Sequence, residues 1–218
     1  MGYTPNLLAR GLKNGRSYTI GLLSSSAQHE VKQQEMVHLS NLLGERNYRL
    51  YVSYYKGEEP LLKNTCEDLM ARGCDALVVS QSVGFETARI VRKITENVVF
   101  IVTNPPVQAN GNEVFFDYSI GISEAMNHLL ELGHRDIRML GAFWNGFEED
   151  LRPVTFKREL ARNQLSQEHA IETVNVVEDI SADFIKAFLL RNPLCTAIIC
   201  TNDLLAMKTI QACAELGI

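Results

Sequence analysis

Short β-branched apolar runs alternate along this chain with longer stretches in which apolar residues recur three and four positions apart. Alternation of this kind is the pattern of βαβ units around a parallel sheet. Strands are expected at Tyr18–Ser24, Arg49–Tyr54, Ala76–Ser80, Val98–Thr103, Ile137–Gly141, Glu172–Val177 and Ala197–Cys200. Most are continuous apolar runs, as strands covered on both faces require. Between them Val31–Arg46, Pro60–Arg72, Phe85–Glu96 and Ile120–Leu132 read as crossover helices, and Leu204–Leu216 as a helix after the last strand. Asn104–Asn112 carries strong turn chemistry and no periodicity, so it is expected to be a loop, followed by a short strand at Val114–Asp117.

The spacing of these elements predicts two similar α/β lobes. The first five strands and their helices fill 17–132, and a second series opens at Gly133-His134-Arg135 and occupies 133–218. His134 is expected to order that turn by a local hydrogen bond. The second series holds only three strands, which leaves a thin sheet with an edge or face to be covered, so this lobe is expected to be incomplete.

Charge adds an asymmetry. Arg10, Lys13 and Arg16 meet no acid before Glu30, whereas the remainder carries 18 bases against 26 acids. A basic arm on an acidic body suits contact with a polyanion at one end, or an ordinary solvated tail. At 218 residues and 46% hydrophobic, the chain can bury a sizeable core. No apolar run has the length of a membrane span and no signal-peptide block follows Met1, which makes the cytoplasm the expected compartment. The five cysteines match no zinc spacing and read as reduced thiols, and no metal or cofactor is implied. Scattered histidines, with no nucleophile elbow and no glycine-rich phosphate loop, argue against an enzyme.

Residues 1–16 read as a hinge. Pro5 suits a first helical turn, and Asn6–Lys13 would form about two turns, marginal by itself and weakened by Gly11. Leu7, Leu8 and Leu12 beside Arg10 and Lys13 combine apolar wedges with cations, as minor-groove binders do; packing on the protein's own body is the alternative.

These residues resemble the LacI/GalR family of bacterial transcription repressors, in which Gly-Tyr-x-Pro-Asn-x-x-Ala-Arg-x-Leu precedes a first strand containing Ile-Gly-Leu. The matching positions are Gly2-Tyr3-Thr4-Pro5-Asn6, Ala9-Arg10, Leu12 and Ile20-Gly21-Leu22. Phe116-Asp117 with Gly121, His128 to Arg135, Arg152 with Phe156, and Cys200 to Ala206 follow in register. The resemblance implies two doubly wound lobes of the periplasmic-binding-protein-like type I, with Asn6, Arg10, Leu12 and Lys13 as the DNA hinge. It implies a homodimer and a small effector, a sugar, sugar acid or sugar phosphate, held between the lobes. Operator DNA would be bound only by a full-length protein with a helix-turn-helix headpiece, and no membrane is involved. A solute-binding protein for a sugar is the alternative reading.

Ligands of such proteins sit at the carboxyl ends of the strands. Asp203 follows a strand and precedes a helix, and the resemblance gives it an effector-binding role. Asn202, also an effector candidate, is equally placed to cap that helix. Arg152 matches the arginine that the family sends to its ligand, and Asp117 matches an aspartate that faces ligand or steadies the crossover. Many members place an aromatic pair where this chain has Val31 and Lys32. Loss of stacking surface and gain of a cation point to Lys32 as a ligand group and to an acidic or phosphorylated effector. Trp144 and Phe147 supply stacking instead, or pack.

Overall fold

The computed structural model describes residues 15–24, 30–54, 59–80, 85–102, 112–141, 150–174 and 181–218. The hinge candidates Asn6, Arg10, Leu12 and Lys13, and the aromatic candidates Trp144 and Phe147, lie outside them. Contacts divide the chain into two compact units, 1–116 and 117–218.

The first unit is an α/β layer built on five parallel strands: β1 (Thr19–Ser24), β2 (Arg49–Tyr54), β3 (Ala76–Ser80), β4 (Val98–Val102) and β5 (Glu113–Phe115). Their order is β2-β1-β3-β4-β5, with helices α1 (Glu30–Glu45), α2 (Glu59–Ala71) and α3 (Phe85–Ile94) in the crossovers. Leu62, Cys66 and Leu69 of α2 and Val91 of α3 pack on Leu77, Val79 and Phe100. Gly21 in the interior strand β1 is a close-approach position. A Cβ there would lie 2.8 Å from Leu77 Cδ2 and 3.1 Å from Leu69 Cδ1. At the amino end of the sheet, the carboxylate of Asp75 accepts from Ser17 N (2.7 Å), Ser17 Oγ (3.0 Å) and Tyr18 N (2.9 Å). That clamp fixes the chain's entry into β1, because a partly buried carboxylate with three donors holds its partners firmly.

The second unit has a parallel three-stranded sheet ordered β7-β6-β8, where β6 is Ile137–Gly141, β7 Ile171–Thr173 and β8 Ala197–Cys200. Helices α4 (Ser119–Glu131), α5 (Leu151–Arg162), α6 (Ala182–Arg191) and α7 (Asp203–Leu216) complete it. Two cores form. Ile122 and Met126 of α4 meet Phe156 and Leu160 of α5 over Ile137 and Met139, while Ile185 and Phe188 of α6 meet Leu205 and Ala212 of α7 over Leu140.

The division between units falls before α4, not at 132/133 as the element count suggests. Helix α4 packs on α5 through that core, and Ser123 Oγ donates to the buried Glu159 carboxylate at 3.0 Å. The turn after α4 also differs from expectation. Gly133, at φ +91, closes the helix as His134 N returns to Leu129 O. The ring of His134 bonds Thr196 Oγ1 at 2.9 Å, a long-range tie to the segment entering β8 rather than a local one.

Candidate functional site

Each sheet has one place where its strand order reverses. In the first unit the chain steps from β1 to β2 on one side and then to β3 on the other; in the second it goes from β6 to β7 and back to β8. At such a point the crossovers diverge to opposite faces and leave a crevice at the carboxyl ends of the strands. Both reversal points carry a charged cluster.

In the second unit the cluster is built on Arg152. Asp150 caps α5, its Oδ1 accepting from Arg152 N at 2.9 Å. The same carboxylate takes two side-chain bonds from the guanidinium, Nε to Oδ1 at 2.9 Å and Nη2 to Oδ2 at 2.5 Å. Nη1 reaches across to the carbonyl of Thr201, just past β8, at 3.0 Å. The guanidinium also lies 5.6 Å from the ring centre of Tyr118, ahead of α4. One side chain thus links α5, the exit of β8 and the entrance of α4. Side-chain exposures of 18% for Arg152 and 8% for Asp150 mean that water screens this pair weakly. Asp150 was not singled out from the sequence; an acid two positions before Arg152, with Pro153 in the following turn, was the available signal.

The other second-unit candidates separate. Asn202 caps α7, its Oδ1 accepting from Leu205 N at 2.9 Å. Asp203 occupies the first turn of α7 and is exposed. Both line a groove of about 690 Å³ beside β8 and α7, together with Cys195, Cys200, Ile210 and Cys213. Arg152 reaches this region through the carbonyl of Thr201, itself a lining residue two positions before Asp203. Asp117 Oδ1 accepts from Ser119 N at 2.8 Å at the start of α4. Bonds from the Ser119 hydroxyl and N–H hold its carboxyl below the ordinary value, with Arg158 adding a smaller pull.

In the first unit Lys32 lies on the inward side of α1 and donates to Ser80 Oγ, at the end of β3, and to Glu35 Oε2 at 3.0 Å. Ser80 and Ser24, which end the two strands flanking the reversal point, are buried. Lys32 is therefore a cation already matched by an acid one helical turn away, not the added positive charge inferred from its replacement of an aromatic residue. Glu35 was missed although its spacing three positions after Lys32 on an expected helix was the available signal. Among the described residues no group of three or more side chains is arranged to hold a metal, and no helix is long and apolar enough to cross a membrane.

Comparison with known proteins bears on the fold that carries these residues. The model of the periplasmic binding protein-like domain matches residues 126–218. A crystal structure of the Lac repressor dimer bound to operator and the anti-inducer ONPF superposes with a TM-score of 0.83 at 22% identity, covering 100% of this chain and 76% of that one. A LacI family transcriptional regulator from Silicibacter pomeroyi gives 0.76 at 22% identity, over 91% and 75% of the two chains. The fold is periplasmic-binding-protein-like, of the kind used by LacI-type regulators.

Sequence relatives agree with it. The HTH-type transcriptional repressor PurR of Haemophilus influenzae is 24% identical over all of this chain and 65% of its own length. The lactose operon repressor of Escherichia coli is 24% identical over 100% of this chain and 61% of its own. The HTH-type transcriptional regulator IdnR of Escherichia coli is 22% identical over 99% and 65%. The resemblance to LacI/GalR repressors thus runs the whole length of the chain, which spans about 65% of the first of these relatives.

Proposed function

We propose that this chain is the effector-binding and dimerisation core of a bacterial LacI-type transcription repressor, in which a small sugar or sugar derivative changes operator affinity. The observation that carries the reading is the Asp150–Arg152–Thr201 constellation at the strand-order reversal of the second unit. A planar guanidinium held by a buried carboxylate is preorganised to meet ligand oxygens, and it couples three elements that a bound ligand would pull together. Such a ligand shifts DNA affinity only by preferring one arrangement of the protein over another. Asp203, Asp117, Lys32 and Asn202 complete the proposed ligand set, while Asn6, Arg10, Leu12 and Lys13 act on DNA in the full-length protein.

A homodimer is part of this reading, supported by the exposed Val31, Val37 and Leu42 of α1 and Tyr51 of the edge strand β2. So is a cytoplasmic location and a regulatory rather than enzymatic role, in keeping with the transcriptional regulators it resembles. The test is a thermal-shift screen with sugars, sugar acids and sugar phosphates. A ligand at a hundred times its Kd should raise the melting temperature by about 10 °C. Arg152→Met should abolish that shift; an undiminished shift, or no response to any ligand, would refute the reading.

A further inference from the structure

Both clusters at the reversal points are already charge-balanced, and in the first unit the balancing acid is hydrogen-bonded, among the described residues, to the cation alone. Lys32 and Glu35 lie on one inward side of α1 with side-chain exposures of 18% and 15%, and Lys32 spends one donor on Glu35 and one on Ser80. The second carboxylate oxygen, Glu35 Oε1, is buried and has no hydrogen-bond partner among the described residues. An unpaired buried acceptor is costly, so hydrogen bonding alone does not explain an acid here. Its charge does.

We infer that Glu35 is a specificity-determining residue that masks Lys32, so that the effector is an uncharged polyhydroxy compound rather than a sugar acid or sugar phosphate. The inference rests on the effector-binding reading above. An ammonium has three donors, and the one that Lys32 leaves over among the described residues can meet a neutral hydroxyl oxygen. An anion reaching the same donor would sit within several ångströms of the Glu35 carboxylate, and repulsion over that distance in a half-buried site cancels most of the attraction to Lys32. In the second unit Asp150 balances Arg152 in the same way, and acids flank the two residues it contacts, Asp117 just before Tyr118 and Asp203 two positions past Thr201. Neither cluster offers an anion a net positive site. Glu35 acts through Lys32 and is a positioning residue.

The experiment measures affinities of the intact chain by calorimetry for matched series: glucose, gluconate and glucose 6-phosphate; galactose, galactonate and galactose 6-phosphate; ribose, ribonate and ribose 5-phosphate. In the best-bound series the neutral sugar should bind at least about tenfold more tightly than its acid or phosphate. Glu35→Gln, which removes the mask, should shift the anion-to-neutral affinity ratio by about tenfold toward the anion. Glu35→Asp should leave that ratio near the parent's. Should Glu35→Gln fail to fold, Lys32→Met reads the same mask, because the exposed acid should then reject anions about tenfold more strongly. Tighter binding of an acid or phosphate by the parent protein overturns this inference and leaves the effector reading standing. Equal loss for all ligands in Glu35→Gln also overturns it, because a purely structural role lowers affinity without moving the ratio. No binding by any compound defeats the effector reading and this inference with it.

Discussion

Replacing Asp150 with alanine is expected to destabilise the second unit by about 3 kcal/mol, from two losses that can be separated. The first is the N-cap of α5, where Arg152 N loses its 2.9 Å acceptor at about 1 kcal/mol. The second is the counter-charge of a guanidinium only 18% exposed, at about 2 kcal/mol after allowing for the solvent that still reaches it. Asp150→Asn keeps the cap and loses mainly the charge, so about two thirds of the effect remains. Arg152→Met strands the 8%-exposed carboxylate and should cost about 2 kcal/mol. The double variant removes both charges at once. If Asp150 holds Arg152 as the bond geometry implies, the double variant falls short of the sum of the singles by about 2 kcal/mol. Urea denaturation followed by circular dichroism and by the fluorescence of Trp144, the one tryptophan, measures the cycle. Additivity within about 0.5 kcal/mol would refute the argument that Arg152 is preorganised by Asp150.

Gly21→Ala should cost about 1–3 kcal/mol through overpacking, since its Cβ would lie 2.8 Å from Leu77 Cδ2 on the neighbouring strand; a variant as stable as the parent in thermal melts contradicts that close approach. Asp75→Ala should cost about 2–3 kcal/mol and speed amide exchange at Ser17 and Tyr18, whose donors lose their acceptor. Unchanged exchange there would mean that the clamp does not hold the entry to β1. Toward acid, Asp117 and Glu215 both have folded values below their ordinary ones, the first through bonds from Ser119 and the second through bonds from Lys186 and Gln211. Depressed carboxyls stabilise the fold above their unfolded values and lose that contribution as pH falls through the folded ones. Urea midpoints should therefore drop below pH 4.5, the ordinary value for Glu215, and Asp117→Asn with Glu215→Gln should flatten the drop; identical slopes would refute it. Native labelling with a thiol reagent at mildly alkaline pH should miss Cys66, whose thiol burial pushes up to about 11, until the first unit unfolds.

The strands were legible because parallel strands covered on both faces need continuous apolar runs, and a run such as Ala76–Ser80 has no competing helical period. Strand β2, at an edge, was equally clear although half of it is exposed, since it alternates. The caps of α5, α6 and α7 were visible in principle as Asp150, Ser181 and Asn202, each a short polar side chain just before a helical period, yet only Asn202 was read that way. Inward and outward sides of α1 were not legible. Val31 and Val37 are exposed at 59% and 61%, while Lys32 turns inward to meet Ser80 and Glu35 turns inward to pair with Lys32.

By itself, then, the sequence determined the order of the strands, the two parallel α/β sheets and the resemblance to LacI-type repressors, because these depend on local periodicity and on motifs in register. Tertiary structure decided which unit owns α4, and it decided the electrostatic character of Lys32 and Arg152. A helix joins whichever surface buries its apolar side, and for α4 that surface is Phe156 and Leu160 of α5. A cation counts as a ligand group only after its neighbours have taken their share. Glu35, Ser80, Asp150 and Thr201 take theirs across a helical turn, a capped helix start and two strand ends that only folding brings together.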